Sequence, residues 1–68
     1  MKNNIHKTAE VSKKSSIGKN TIVWNNAQIR ENVTVGKNCI ISKDVYLDKN
    51  VIIGNNCKIQ NSVQIYNG

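Results

Sequence analysis

Thr21-Ile22-Val23-Trp24-Asn25-Asn26, Ala27-Gln28-Ile29-Arg30-Glu31-Asn32, Val33-Thr34-Val35-Gly36-Lys37-Asn38: cut into sixes, this stretch states one pattern three times. Each six opens on a small or β-branched residue, carries Val or Ile in third place and closes on Asn. Two apolar residues spaced by two face the same side of a strand. Asn tolerates the left-handed backbone of a tight corner better than most residues that carry a Cβ. Each six therefore predicts a short strand followed by a corner.

The pattern continues in both directions. Steps of six meet Ile5, Val11 and Ile17 before the quoted stretch and Ile41, Leu47, Ile53, Ile59 and Ile65 after it. With Val23, Ile29 and Val35 all eleven places hold Ile, Val or Leu, which together fill only about a quarter of the chain, so chance does not explain the series. The place two before each is small or β-branched from Ala9 onward, and it holds both cysteines, Cys39 and Cys57. The corner place holds Asn20, Asn26, Asn32, Asn38, Asp44, Asn50 and Asn56, with looser ends at Thr8, Lys14, Ser62 and Gly68. Helical spacings of three and four do not account for this order.

A second period shows how the sixes close. Gly18, Gly36 and Gly54 recur every 18 residues, so three sixes make one triangular coil. The expected fold is all-β, a parallel β-helix of about three and a half coils over residues 5–68, after a short lead at 1–4. The chain stops within a coil with no cap over the last strand edge, and is read as truncated at its C-terminal end. Inward aliphatic ladders and main-chain bonds between coils would hold such a prism together.

Composition narrows the function classes. A chain of 68 residues has room for one small domain. Ten Lys and Arg against four Asp and Glu give a net charge of +6. That balance suits a nucleic acid, an anionic membrane surface or an acidic ligand, but the lysines are spread along the chain in the manner of solubilising corner residues. One Trp, two Tyr and no Phe leave few rings for stacking on bases, which argues against nucleic acid. The N-terminus is polar and no apolar run approaches the ~20 residues needed to span a bilayer, so a cytoplasmic chain with no membrane insertion is expected. Cys39 and Cys57, one coil apart, read as reduced inward thiols. No further ligands accompany them, and no metal is expected.

Finer features carry a resemblance. Ile5-His6 followed by Thr8-Ala9, Ile17-Gly18 with Asn20-Thr21, Trp24, and Lys58-Ile59-Gln60-Asn61 through Val63 and Tyr66 resemble the N-terminal part of bacterial UDP-2-acetamido-3-amino-2,3-dideoxyglucuronate N-acetyltransferases, hexapeptide-repeat acyltransferases. The resemblance implies a left-handed winding, against the usual right-handed preference. It implies acetyl-CoA as co-substrate, an amino group on a nucleotide-linked sugar as acceptor, and a role in surface polysaccharide synthesis. It further implies a homotrimer with active sites between neighbouring prisms, and a catalytic residue in a coil beyond residue 68. The 68 residues alone are then expected to be inactive. The alternative is a non-catalytic solenoid serving trimerisation or assembly.

The residues singled out follow from that likeness. Gln60, Asn61 and Tyr66 are candidate contacts to the sugar nucleotide, or else parts of a solvated corner. Trp24 points outward as a trimer-interface residue or as a platform for ligand. Lys19 and Lys37 share a corner where coenzyme A phosphates or plain solvent would meet them. Asn25 and Gln28 stand where the resembling enzymes carry histidines, and an amide cannot serve as a general base near neutral pH. His6, the one histidine, is expected to be an exposed residue of the first coil. No catalytic residue is assigned within the chain.

Overall fold

The computed structural model describes residues 4–67. Met1 to Asn3 of the lead and the corner at Gly68 lie outside the described residues. Eleven two-residue strands follow one another: β1 (Asn4–Ile5), β2 (Glu10–Val11), β3 (Ser16–Ile17), β4 (Ile22–Val23), β5 (Gln28–Ile29), β6 (Thr34–Val35), β7 (Ile40–Ile41), β8 (Tyr46–Leu47), β9 (Ile52–Ile53), β10 (Lys58–Ile59) and β11 (Gln64–Ile65). They form three parallel sheets, ordered β1-β4-β7-β10, β2-β5-β8-β11 and β3-β6-β9. These are the sides of a triangular solenoid, here the Trp24 face, the tyrosine face and the glycine face. The architecture is consistent with the left-handed winding that the resemblance implies.

Every strand pairs with the one 18 residues away: Ile22 with Ile40, Gln28 with Tyr46, Thr34 with Ile52. Strand amides donate to the next coil, as from Ile22 to the Cys39 carbonyl (2.9 Å), Gln28 to Val45 (2.8 Å) and Gly36 to Ile53 (2.9 Å). Corner amides donate the opposite way, as from Asn38 to the Lys19 carbonyl (2.9 Å) and from Asn56 to Lys37 (2.8 Å). The backbone is therefore bonded between coils at sides and corners alike.

The corners adopt the expected left-handed backbone. Asn20, Asn26, Asn32, Asn38, Asp44, Asn50 and Asn56 all have φ between 59° and 67°, and Ser62 joins them at 64°. Thr8 and Lys14 do not. Their corners close by amide-to-carbonyl bonds three residues back, Ala9 to His6 and Ser15 to Ser12, both 3.0 Å. No glycine among the described residues has positive φ. The glycine column has a different cause, close approach of the next coil: a Cβ on Gly36 would come within 2.8 Å of the Gly54 carbonyl carbon and the Asn55 nitrogen.

The aliphatic ladders fill the axis. Val23, Ile29, Val35, Ile41 and Leu47 are at most 2% exposed, with Ala27, Val33, Cys39 and Val45 packed beside them. Val11, Ile17, Ile59 and Ile65 continue the ladders partly buried in the outer coils. Apolar side chains also stand outside the prism: Trp24 on its own face, Ile52 on the glycine face (76% exposed) and Tyr66 on the tyrosine face. Among the described residues no helix is long and apolar enough to cross a membrane.

Candidate ligand grooves on two faces of the prism

Outward positions stack at the same 18-residue interval as inward ones, so each face carries columns of side chains. On the Trp24 face one column runs Asn4, Ile22, Ile40, Lys58. Beside it, just past each strand, run His6, Trp24, Ser42 and Gln60. Trp24 stands 48% exposed between two grooves. The lower groove is largely apolar, lined by Asn4, Ile5, His6, Ile22, Val23 and Trp24. The upper one is mixed, lined by Trp24, Ile40, Ser42, Lys43, Lys58 and Asn61.

Ser42 lines the upper groove only. It is 6% exposed and its amide donates to the Ile59 carbonyl at 3.1 Å. Its hydroxyl has no hydrogen-bond partner among the described residues. The ammonium groups of Lys43 and Lys58 have no ion-pair partner there either. The upper groove therefore offers an indole, two unpaired cations, an amide and a free hydroxyl.

His6 is committed to its corner. Its Nδ1 lies 2.9 Å from the Thr8 hydroxyl and accepts the Thr8 amide at 3.1 Å, while the Thr8 hydroxyl accepts the Asn26 amide at 3.0 Å. With Nδ1 accepting, the neutral ring carries its proton on Nε2. The imidazole thus braces a corner that lacks the left-handed residue found in later coils.

The tyrosine face has a different chemistry. Arg30 donates to the Tyr46 hydroxyl (3.1 Å), which donates to Asp48 Oδ1 (3.2 Å). Asp48 also accepts the amides of Lys49 (2.9 Å) and Asn67 (3.1 Å). These amide bonds, Asn67 first, hold the Asp48 carboxyl below its ordinary range. The bond to Tyr46, with the neighbouring Glu31 charge, raises Arg30 above its ordinary value. Glu31 is lowered by its own backbone amide and by Arg30, with which it pairs at 3.2 Å. The Tyr66 ring leans on Tyr46 with centroids 5.5 Å apart, and its hydroxyl donates to Gln64 Oε1 at 2.7 Å. A groove beside them is lined by Asn26, Gln28, Asp44, Gln64 and the two rings. Its one charged group is the Asp44 carboxylate, which disfavours an anionic ligand.

The residues singled out in the sequence do not all converge. Asn61 shares a groove with Trp24. Gln60 is exposed in the Trp24 column but is not among that groove's lining residues. Tyr66 stands on the neighbouring face beside Tyr46, where Gln28 also lines the groove. The Asn25 carbonyl accepts the Asp44 amide in the corner between the two faces. Lys19 and Lys37 are exposed on the corner between the glycine and Trp24 faces. Sequence reasoning passed over Ser42 and Lys43 and gave Lys58 no role beyond the segment that carries the resemblance. The available signal was the 18-residue interval itself, which sets Ser42 after Trp24, Lys58 after Ile40 and Lys43 before Asn61. Among the described residues no three His, Cys, Asp or Glu side chains gather as metal ligands would.

Comparison with known proteins gives one result at the level of the family. A family model described as bacterial transferase hexapeptide (six repeats) matches residues 14–49 and again residues 32–67, together most of the chain. No curated protein matches the chain. The two overlapping matches follow the same sixes that build the three sheets, and on that ground the chain belongs to the bacterial transferase hexapeptide-repeat family.

Proposed function

We propose that the chain serves acetyl transfer from acetyl-CoA to an amino group of a nucleotide-linked sugar, in surface polysaccharide synthesis in the cytoplasm, as part of a homotrimer. The observation that carries this reading is the hexapeptide-transferase repeat along residues 14–67. The Trp24 face supports the trimer. Ile22 stands only partly covered in its outer column, and Trp24 with the apolar groove below it offers the aromatic anchor that protein contacts favour. A partner prism seated on that lower groove would cover Ile22 and one side of the indole.

Among the described residues, the histidine and the two places that carry histidines in the resembling enzymes offer no general base. His6 spends Nδ1 on its corner, and Asn25 and Gln28 are amides. The isolated chain is therefore expected to show no acetyl transfer, and robust turnover of an amino-sugar nucleotide by it would overturn that point. The function itself is tested in the source cell. Without the protein, the nucleotide sugar should accumulate with a free amine, and the surface polysaccharide should lose the matching acetyl group by mass spectrometry. An unchanged polysaccharide would sink the transferase reading.

A second reading, assembly without chemistry, is favoured by the same uncovered apolar face. It predicts intact acetylation and the loss of a larger complex when Trp24 is replaced by Lys.

A further inference from the structure

The upper groove on the Trp24 face combines features with no structural use inside the prism. Ser42 is 6% exposed, yet its hydroxyl finds no protein partner among the described residues, and it lines the groove. Buried hydroxyls are ordinarily bonded, so an unpartnered one marks a place where something else completes the bond. Above it stand Lys58 and Asn61, beside it Lys43, and below it the exposed indole of Trp24. Neither lysine has a carboxylate partner among the described residues.

We propose that this groove binds a nucleoside diphosphate, with the base stacked on Trp24 and the phosphates held by Lys43 and Lys58. A π-face suits any base and gives contact without sequence-like selectivity. Two ammonium groups supply point charges for a diphosphate. The Asn61 amide and the Ser42 hydroxyl, each able to donate and accept, complete a set suited to ribose hydroxyls or a base edge. The tyrosine groove serves as an internal contrast. It also has rings and amides, but its unpaired charge is the Asp44 carboxylate, which would repel phosphate.

This assignment deepens the transferase reading and rests on it for the relevance of nucleotides. The same chemistry is present in two ligands of that reaction, the nucleotide of the acceptor sugar and that of coenzyme A. Because the test reads binding without an acetyl donor, its failure and a failure of acetyl transfer are separate results.

Trp24 is the one tryptophan of the chain and lines this groove as well as the one below it, so its fluorescence reports on ligands bound at either, and the Lys43 and Lys58 variants tell the two apart. UDP and coenzyme A are titrated separately against the full chain up to about 10 mM, a range set by the millimolar affinity expected of an open groove. Saturable quenching by UDP and not by coenzyme A assigns the groove to the acceptor nucleotide, and the reverse assigns it to the acetyl donor. Quenching by both supports the shared diphosphate chemistry. Uridine should bind at least about fivefold more weakly than UDP, and added salt should weaken UDP binding. Lys43→Ala and Lys58→Ala, both at exposed positions, should each lower affinity about fivefold, while Lys19→Ala on another corner should not. Circular dichroism checks that each variant keeps its sheets. No saturable quenching by either nucleotide would overturn the proposal, as would UDP binding indifferent to Lys43 and Lys58.

Discussion

Thr21 and Cys39 occupy the same place in successive coils, and the hydroxyl of one accepts the amide of the other at 3.1 Å. The same hydroxyl donates to the Gly36 carbonyl at 2.7 Å. Gly36 and Cys39 are three residues apart, the spacing of a turn bond, so the Thr21 hydroxyl is inserted between the two ends of a turn in the coil above it. One coil later the Cys39 thiol donates to the Gly54 carbonyl at 3.0 Å, as the Thr21 hydroxyl does to the Gly36 carbonyl. A column that looks like small core residues is thus also a ladder of polar bridges, with Thr21 fully buried and satisfied.

Thr21→Val keeps the shape and removes the bridge. The Cys39 amide and Gly36 carbonyl would lose their shared partner, at a cost of about 1–2 kcal/mol. The upper figure is limited because the two groups are placed to close a direct turn bond, as Val51 does with Asp48 at 3.3 Å. Urea unfolding should show the loss and Thr21→Ser should recover most of it. Unchanged stability in Thr21→Val would mean that the turn closes at no cost and the bridge is incidental.

The three glycines of one column should respond unequally to alanine. A Cβ on Gly18 would collide with the Gly36 carbonyl, and one on Gly36 with Gly54 and Asn55. A Cβ on Gly54 would meet nothing within 4 Å. Gly18→Ala and Gly36→Ala should therefore each cost about 1–3 kcal/mol, as overpacking does. Gly54→Ala should stay within about 0.5 kcal/mol, as exposed changes do. Thermal melts of the three variants decide it. Equal losses would point to backbone conformation, rather than coil contact, as the reason for glycine.

That result bears on how much the sequence disclosed. The eleven aliphatic places were readable because a solenoid core is local: each coil buries its residues against copies of the same pattern. Asn corners were readable for the same reason, since one backbone conformation recurs every six residues. Thr8 and Lys14 broke the series, and their corner amides go to the side chains of His6 and Ser12 instead of to a carbonyl of the preceding coil, as the corner amides do from Asn32 onward. Outward chemistry was harder to read. Solvent-facing columns carry no repeating constraint, so Ser42, Lys43 and Lys58 look like ordinary polar residues until stacked at 18 against Trp24, Asn61 and Ile40. Tyr66 lies only five residues after Asn61, but a corner between them turns it onto another face.

Ser62 should be improvable. It holds φ of 64° at a place where seven other corners use Asn or Asp. Residues with a Cβ resist this conformation by roughly 1–2 kcal/mol, and Asn offsets part of that. Ser62→Asn should raise stability by a few tenths to about 1 kcal/mol, visible as a higher melting temperature. A drop would show that the Ser62 side chain makes a contact worth more than the relief of its backbone.

Asp48 gives the C-terminal strand a dependence on acid. Its Oδ2 accepts the Asn67 amide at 3.1 Å, and that bond is the main reason its pKa lies below the ordinary value. A carboxyl depressed in the folded state stabilises it fully above the unfolded pKa, near 3.9, and stops doing so as pH falls through the lower folded pKa. Because Asp48 is solvated, the effect stays local: β11 and Asn67 should loosen while the coils around Ile41 hold. Amide exchange of Ile65 and Asn67, compared at about pH 5 and about pH 2.5 after correction for intrinsic rates, should show protection lost in acid. Asp48→Asn should show part of that loss already at neutral pH. Equal protection of Asn67 at both pH values would mean that β11 is held by its pairing with β8 alone.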